Sequence, residues 1–237
     1  MCTVSWTHQS DGYHLLCNRD EQRTRGMATG PGVFERGCTR YVAPTDADHG
    51  GTWIAANEHG LALCLLNGRS WEPAREGRSR GFVIPELIWL RSAKNCAFVL
   101  GQFDLAPFAP FTLLMLEPGQ PATVAAWDGT TLAVDRNAEG RAPLVSSSFD
   151  PEGVRRSRTR EYARYANGDA SSLYRFHTSH GDGGAGNPYS PCMHREEAGT
   201  VSFSWVVVTR DEVRFLYLPA APCRCEPTEQ SILPRVA

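Results

Sequence analysis

Cys2-Thr3-Val4-Ser5-Trp6-Thr7, then Ser10-Asp11-Gly12, then Tyr13-His14-Leu15-Leu16-Cys17 running into Asn18-Arg19-Asp20-Glu21, is the stretch on which the fold turns. The first run, residues 2–7, reads as a strand. Ser10-Asp11-Gly12 is a turn signal, and residues 13–17 read as the returning strand. An antiparallel hairpin of this kind carries residues 18–21 back beside Cys2. The start of the chain and a charged tetrad are thereby expected to share one end of one hairpin.

Outward from there, residues 22–50 are rich in Gly, Arg and Pro and read as loop. A second hairpin follows. Residues 52–56 and 61–67 are its strands, and Asn57-Glu58-His59-Gly60 is its turn, with Gly60 suited to a positive φ. Residues 68–80 form an arginine-rich loop. Pro85 opens a helix to about Lys94, since its missing N–H costs nothing in a first turn. Strands are expected at 111–116, 123–127 and 131–134, helices from Pro151 to about Tyr165 and from Ala170 to Ser179, a glycine-rich loop at 180–191, and strands at 200–209 and 213–218. Strands, helices, then strands again point to a layered α+β fold with mostly antiparallel sheets.

With 237 residues and 41% hydrophobic composition, the chain is long enough for one sizeable core, and a single domain over residues 1–237 is expected. The formal net charge of -2, with charges interspersed, argues against a nucleic-acid partner or an anionic membrane surface. No run approaches the length of a membrane span, and residues 1–30 lack a signal-peptide core. Cytoplasm is the expected location, with the eight cysteines reduced.

Three features carry chemistry. Removal of Met1 before the small Cys2 leaves a cysteine with a free α-amine. Its reference pKa of roughly 7.7–8.0 lets it accept the proton of its own thiol. Arg19, brought beside it, favours thiolate, and Asp20 can hold an α-ammonium. Asn67, at the end of a strand, can offer its side-chain N–H to an oxyanion. Read singly, each has a plainer meaning: a small strand residue, a solvated charge cluster, and an Asn67-Gly68 turn.

Together, Met1-Cys2-Thr3, Asn18-Arg19-Asp20-Glu21 and Gly50-Gly51-Thr52-Trp53 resemble the NRDE family, which includes Transport and Golgi organisation protein 2. Residues 191–195 and 200–202 resemble a segment of its bacterial members. A more distant resemblance is to cysteine N-terminal-nucleophile hydrolases of the choloylglycine hydrolase and penicillin V acylase type. It implies a four-layer αββα sandwich and cleavage of linear, non-peptide amides of a small N-acyl substrate. It also implies catalytic roles for Cys2, Arg19, Asp20 and Asn67. Asn18, Trp53, Ser147 and Arg155 are the expected substrate-binding residues. In those enzymes the Arg and Asp are separated, whereas Arg19 and Asp20 are adjacent, and a second polar position falls in Ser146-Ser147-Ser148. The family resemblance also implies an alternative: a non-catalytic protein that binds or carries a hydrophobic ligand, haem or a lipid or acyl-CoA.

Other features read more plainly. Arg155, Arg156 and Arg158 suit a substrate carboxylate but read first as a solvated helix face. His177 and His180 read as helix-end residues. Cys192 and His194 suggest metal or haem ligation, yet no further Cys or His stands at metal-site spacing, so no metal and no cofactor are expected. Cys223 and Cys225 in a proline-rich tail read as structural or incidental.

Overall fold

The computed structural model describes residues 2–68, 77–165 and 168–236. The opening hairpin is as expected but longer: β1 (Cys2–Gln9) pairs antiparallel with β2 (Gly12–Gln22), Cys2 opposite Arg19 and Gln9 opposite Gly12.

Where a loop is expected, the chain instead makes a second hairpin, β3 (Thr29–Arg36) and β4 (Thr39–Thr45). The strand β3 is an edge, which is where a strand tolerates Gly and Pro residues such as Pro31. Its closing turn uses Gly37 at φ +63°, as a two-residue hairpin turn requires. The expected Gly60 hairpin joins β5 (Ile54–Asn57) to β6 (Ala62–Asn67), with Gly60 at φ +84°. Asn57 builds that turn: its Oδ1 accepts from the His59 and Leu61 amides at 3.0 and 3.1 Å.

The expected helix at 85–94 is two short helices, α1 (Val83–Leu87) and α2 (Ala93–Leu100). The break has two causes. Asn57 Nδ2 donates to the Ile88 and Leu90 carbonyls at 2.6 and 2.8 Å, and Ser92 caps α2 by accepting from the Asn95 amide at 3.2 Å. Strands β7 (Phe111–Leu116), β8 (Thr123–Trp127) and β9 (Leu132–Asp135) follow closely the sequence reading. So do α3 (Pro151–Ala163) and α4 (Ala170–Thr178), capped by Asp150 and Asp169. Two short strands escape the sequence pattern, β10 (Leu144–Ser146) and β13 (Glu229–Pro234), while β11 (Ala198–Val208) and β12 (Glu212–Leu218) match it.

One sheet has the order β10-β1-β2-β11-β12-β13, the other runs β3 to β9 in sequence, and every pairing is antiparallel. Between the sheets pack Val4, Leu15, Ile54, Ala56 and Phe215, all fully buried. Each large apolar side chain there contributes roughly 1.5–3 kcal/mol. On the outer face of the seven-stranded sheet, Leu63 and Met115 meet Ile84, Leu87 and Cys96 of α1 and α2. On the outer face of the other, Leu16, Phe203 and Leu218 meet Leu173 of α4. This is the four-layer αββα sandwich. No helix among the described residues is long and apolar enough to cross a membrane.

Candidate active site

The pleat of β1 and β2 decides what Cys2 sees. Successive side chains point to opposite faces. Cys2 and Arg19 face the second sheet, while Thr3, Asn18 and Asp20 face α3 and α4. Adjacent Arg19 and Asp20 therefore cannot both flank the thiol.

On the inner face, Cys2 lines a cavity of about 670 Å³ with Arg19, Trp53, Asn67, Arg80 and Phe108. The backbone N of Cys2 donates to Ser146 Oγ at 3.0 Å, because β10 lays Ser146 opposite Cys2. The polar partner from 146–148 is thus Ser146. Ser147 instead lines a separate cavity of about 310 Å³ with Arg155 and Asn67, and Arg155 pairs there with Glu152 at 2.7 Å. Ser147 and Arg155 do not meet the thiol's cavity. Asn67 borders both cavities and is exposed. By strand alternation it is in phase with Leu63 and Leu65, which face α1 and α2 and not Cys2, so it borders the Cys2 cavity only from the exposed end of β6.

Arg19 is held by Trp53, which the sequence pattern marks, and by Asp46, which it does not. Its Nη2 donates to Asp46 Oδ2 at 2.6 Å, and its guanidinium lies 4.5 Å from the Trp53 ring centroid. Asp46 sits in a closed loop, its N donating to the Gly51 carbonyl at 2.8 Å while the Gly50 N donates to its own carbonyl at 2.9 Å. It also accepts from Arg25 at 3.1 Å. Burial pushes the Asp46 carboxyl up, but Arg25, then Arg19 and the His49 amide, outweigh burial and hold it below its ordinary value. The Gly50-Gly51-Thr52-Trp53 segment has a steric reason as well. A Cβ on Gly51 would lie 2.7 Å from the Gly81 carbonyl carbon, and this close approach lets the Thr52 amide donate to Gly81 O at 3.0 Å. It seats Trp53 beneath Arg19.

The thiol is not poised as a thiolate by Arg19, contrary to the sequence expectation. The neighbouring Cys17 thiol, then burial, push Cys2 well above the ordinary cysteine range, and Asp20 adds to it. Asp46 takes up the Arg19 charge. Cys17 in turn leans on Cys64 of the facing sheet, so three buried thiols run from the cavity floor into the core. Arg80 brings a further cation to the cavity. Burial pulls its guanidinium below its ordinary value, with Cys2 opposing that shift. It donates to Pro110 O at 3.0 Å and has no carboxylate partner among the described residues.

The outer face is locked. Asp20 accepts from Arg158 Nη1 at 2.9 Å and from Thr200 Oγ1 at 2.6 Å, and Arg158, which also donates to Thr3, is fully buried. Arg158 is therefore no part of a solvated helix face. Asn18, expected to bind substrate, donates through Nδ2 to the His177 and Pro191 carbonyls at 2.9 Å each, away from the cavity. His177 is buried, with Nε2 2.8 Å from Ser5 Oγ; burial, then Arg158, push its pKa down to about 3.

The model of the family described as Transport and Golgi organisation 2 matches residues 1–145, which hold Cys2, the 18–21 tetrad, the Gly50–Trp53 segment and Asn67. The chain belongs to the Transport and Golgi organisation 2 family. The 191–202 segment lies beyond that match. Among solved structures, this family member is similar to a Caenorhabditis elegans ortholog of N-acylethanolamine-hydrolyzing acid amidase, at 16% identity and TM-score 0.60, over 87% of this chain and 92% of that one. Penicillin V acylase from Agrobacterium tumefaciens gives 12% identity and TM-score 0.57, over 91% and 82%. A mutant of conjugated bile acid hydrolase from Clostridium perfringens gives 14% and 0.55, over 99% and 92%. These likenesses show a shared N-terminal-nucleophile hydrolase fold. A search of curated proteins finds no match.

Proposed function

We propose that this chain is a cysteine N-terminal-nucleophile amidohydrolase acting on a linear N-acyl amide. The observation that carries the reading is the placement of Cys2. Cys2 lines a cavity large enough for a small acyl compound, and its nitrogen is pinned by Ser146. Removal of Met1 turns that nitrogen into an amine. The amine takes the thiol proton, which supplies the activation that Arg19, neutralised by Asp46, does not. Sulfur then attacks the amide carbonyl. The C–N bond breaks, the amine delivers its proton to the leaving nitrogen, and a thioester remains. Water attacks the thioester, its proton returns to sulfur by way of the amine, and the acid departs. Asn67 at the rim and Arg80 in the cavity are the groups proposed to face the developing oxyanion. Arg19 and Trp53 form the wall beside the nucleophile, and Asp20 anchors the strand from the other face, its charge adding to the upward push on the thiol.

A second reading is binding without turnover. It draws on the neutral Cys2 thiol and on the apolar lining by Trp53, Leu65, Phe82 and Phe108. One experiment separates the two. Intact-mass spectra are recorded before and after mixing with N-acylethanolamines, penicillin V and conjugated bile acids. Hydrolysis predicts a chain lacking Met1, a transient acyl adduct on Cys2, and loss of both adduct and product in Cys2→Ser. A chain retaining Met1 that binds one of these compounds without forming acid sinks the hydrolase reading.

A further inference from the structure

His180, Cys192 and His194 each offer one ligand atom, and all three atoms lie within 4.8 Å of one another. A fourth group comes from the tail after β12. Cys223 Sγ is 3.1 Å from His194 Nε2, which is itself 3.6 Å from Cys192 Sγ. We infer that His180, Cys192, His194 and Cys223 form a structural zinc site of the Cys2His2 type. This reverses the sequence expectation of no metal, and it is independent of amide cleavage.

Geometry supports it first. Tetrahedral Zn²⁺, with bonds of about 2.3 Å to sulfur and about 2.0–2.1 Å to nitrogen, sets its ligand atoms roughly 3.3–3.8 Å apart. The two His194 edges, 3.6 Å to Cys192 and 3.1 Å to Cys223, sit close to that spacing, and the His180, Cys192 and His194 ligand atoms, all within 4.8 Å of one another, are near it. The tautomer of His180 fits too. Its Nδ1 is 2.9 Å from the Cys192 carbonyl, which can only accept, so Nδ1 carries the proton and Nε2 keeps its lone pair. Metal-bound histidines are characteristically oriented by such a bond. The segment between the ligands is pinned by its backbone: Cys192 N donates to Ser179 O at 3.0 Å, and His194 N donates to Ala185 O at 2.7 Å.

The surroundings give the site a task. Residues 181–187 hold four glycines and no large apolar side chain, whereas the tail at 219–225 is seated on the core through Ala220 and Ala221 and presents Cys223 at its exposed side. A zinc ion ties the glycine-rich segment to this seated tail. The joined segment also reaches the outer face of the hairpin, because Met193 N donates to Thr200 Oγ1, and that hydroxyl donates to Asp20. Two thiolates balance the charge of the ion, and their protons are released on binding. Four protein ligands leave no open position, so the site is structural.

The test uses the full chain, stripped with a chelator under a phosphine reductant, then titrated with zinc chloride and, separately, cobalt chloride. One zinc per chain after gel filtration is expected, with the visible bands and thiolate charge-transfer absorption of tetrahedral cobalt(II), and a raised Tm. Cys223→Ser changes an exposed thiol and should fold; it is expected to weaken zinc retention at least ~10-fold and to reduce the charge-transfer band. Cys192→Ser should do the same, while Cys38→Ser and Cys225→Ser retain the metal. A reduced chain that takes up no zinc overturns the site. So does uptake that is unchanged in Cys223→Ser and Cys192→Ser, or a Cys192–Cys223 disulfide that persists in reductant and excludes the metal.

Discussion

Arg19 and Asp20 share a peptide bond and occupy different worlds. Arg19 reaches into a cavity beside Cys2, against a ring and a loop carboxylate. Asp20 reaches into a sealed layer, where Thr3, Ser5 and Asn18 are all fully buried and Arg158 and His177 answer them. One residue of pleat separates chemistry from architecture. The difference warns against reading a charged tetrad as one catalytic unit: half of it borders the nucleophile, and half holds the strand on which the nucleophile sits.

The sharpest way to break that comparison is to remove the buried cation. With both side chains fully buried, the Arg158–Asp20 pair is stable only as a pair. Arg158→Met removes the cation that faces this buried carboxylate and is expected to lower unfolding stability by about 3–5 kcal/mol in urea melts. Asp20→Asn in that background should recover a substantial part. If Arg158→Met costs no more than an exposed arginine would, the outer face is not the locked layer described here.

The same layer predicts an acid response. His177 is about 3 when folded against an ordinary 6.5, so the fold favours its neutral form. That stability is fully present above about pH 6.5 and is lost as pH falls, because the unfolded chain takes up a proton that the folded chain refuses until about pH 3. Some 3 kcal/mol should go by pH ~4.5. His177→Gln, which cannot titrate, should show a flatter stability profile between about pH 6.5 and 4.5 than the parent chain. Parallel profiles would mean that His177 is protonated in the folded state.

Much of the fold is legible because its signals are local. Asp11-Gly12, the Asn57–Gly60 turn and Pro151 each act on their immediate neighbours, and each lands where expected. The missed strands lack such signals. β3 carries Gly and Pro at an edge, β10 has three residues, and β13 follows a proline-rich tail. The site is legible only in part for the same reason. Cys2 opposite Arg19 follows from one hairpin, but Asp46, Ser146, Arg80 and Arg158 arrive from other elements, and no spacing announces them. The divergence of Arg19 and Asp20, by contrast, was readable from strand alternation alone. His180 and Cys223 show the limit on the other side of the molecule: metal-ligand spacing in sequence finds only ligands that share a loop.

The smallest expected effect sharpens the inner face. Two groups there are proposed to meet the oxyanion, and they differ in setting. Asn67 is exposed at the cavity rim, while Arg80 is half-buried within it and lacks a carboxylate partner among the described residues. A preorganised donor in a dry site is worth roughly 10²–10³-fold in kcat. At an exposed rim, water competes for the same lone pair, so Asn67→Ala should cost only about 10-fold in kcat, roughly 1.4 kcal/mol, with KM little changed. The measurement is steady-state hydrolysis of whichever N-acyl amide gives the Cys2 adduct. Arg80→Gln is the paired variant. A fall in kcat for charged and uncharged substrates alike places Arg80 at the reacting carbonyl, whereas a raised KM confined to substrates bearing a carboxylate places it at the far end of the ligand. If Asn67→Ala leaves kcat untouched while Arg80→Gln lowers it for every substrate, Arg80 takes the oxyanion and Asn67 is the turn residue that Asn67-Gly68 resembles when read alone.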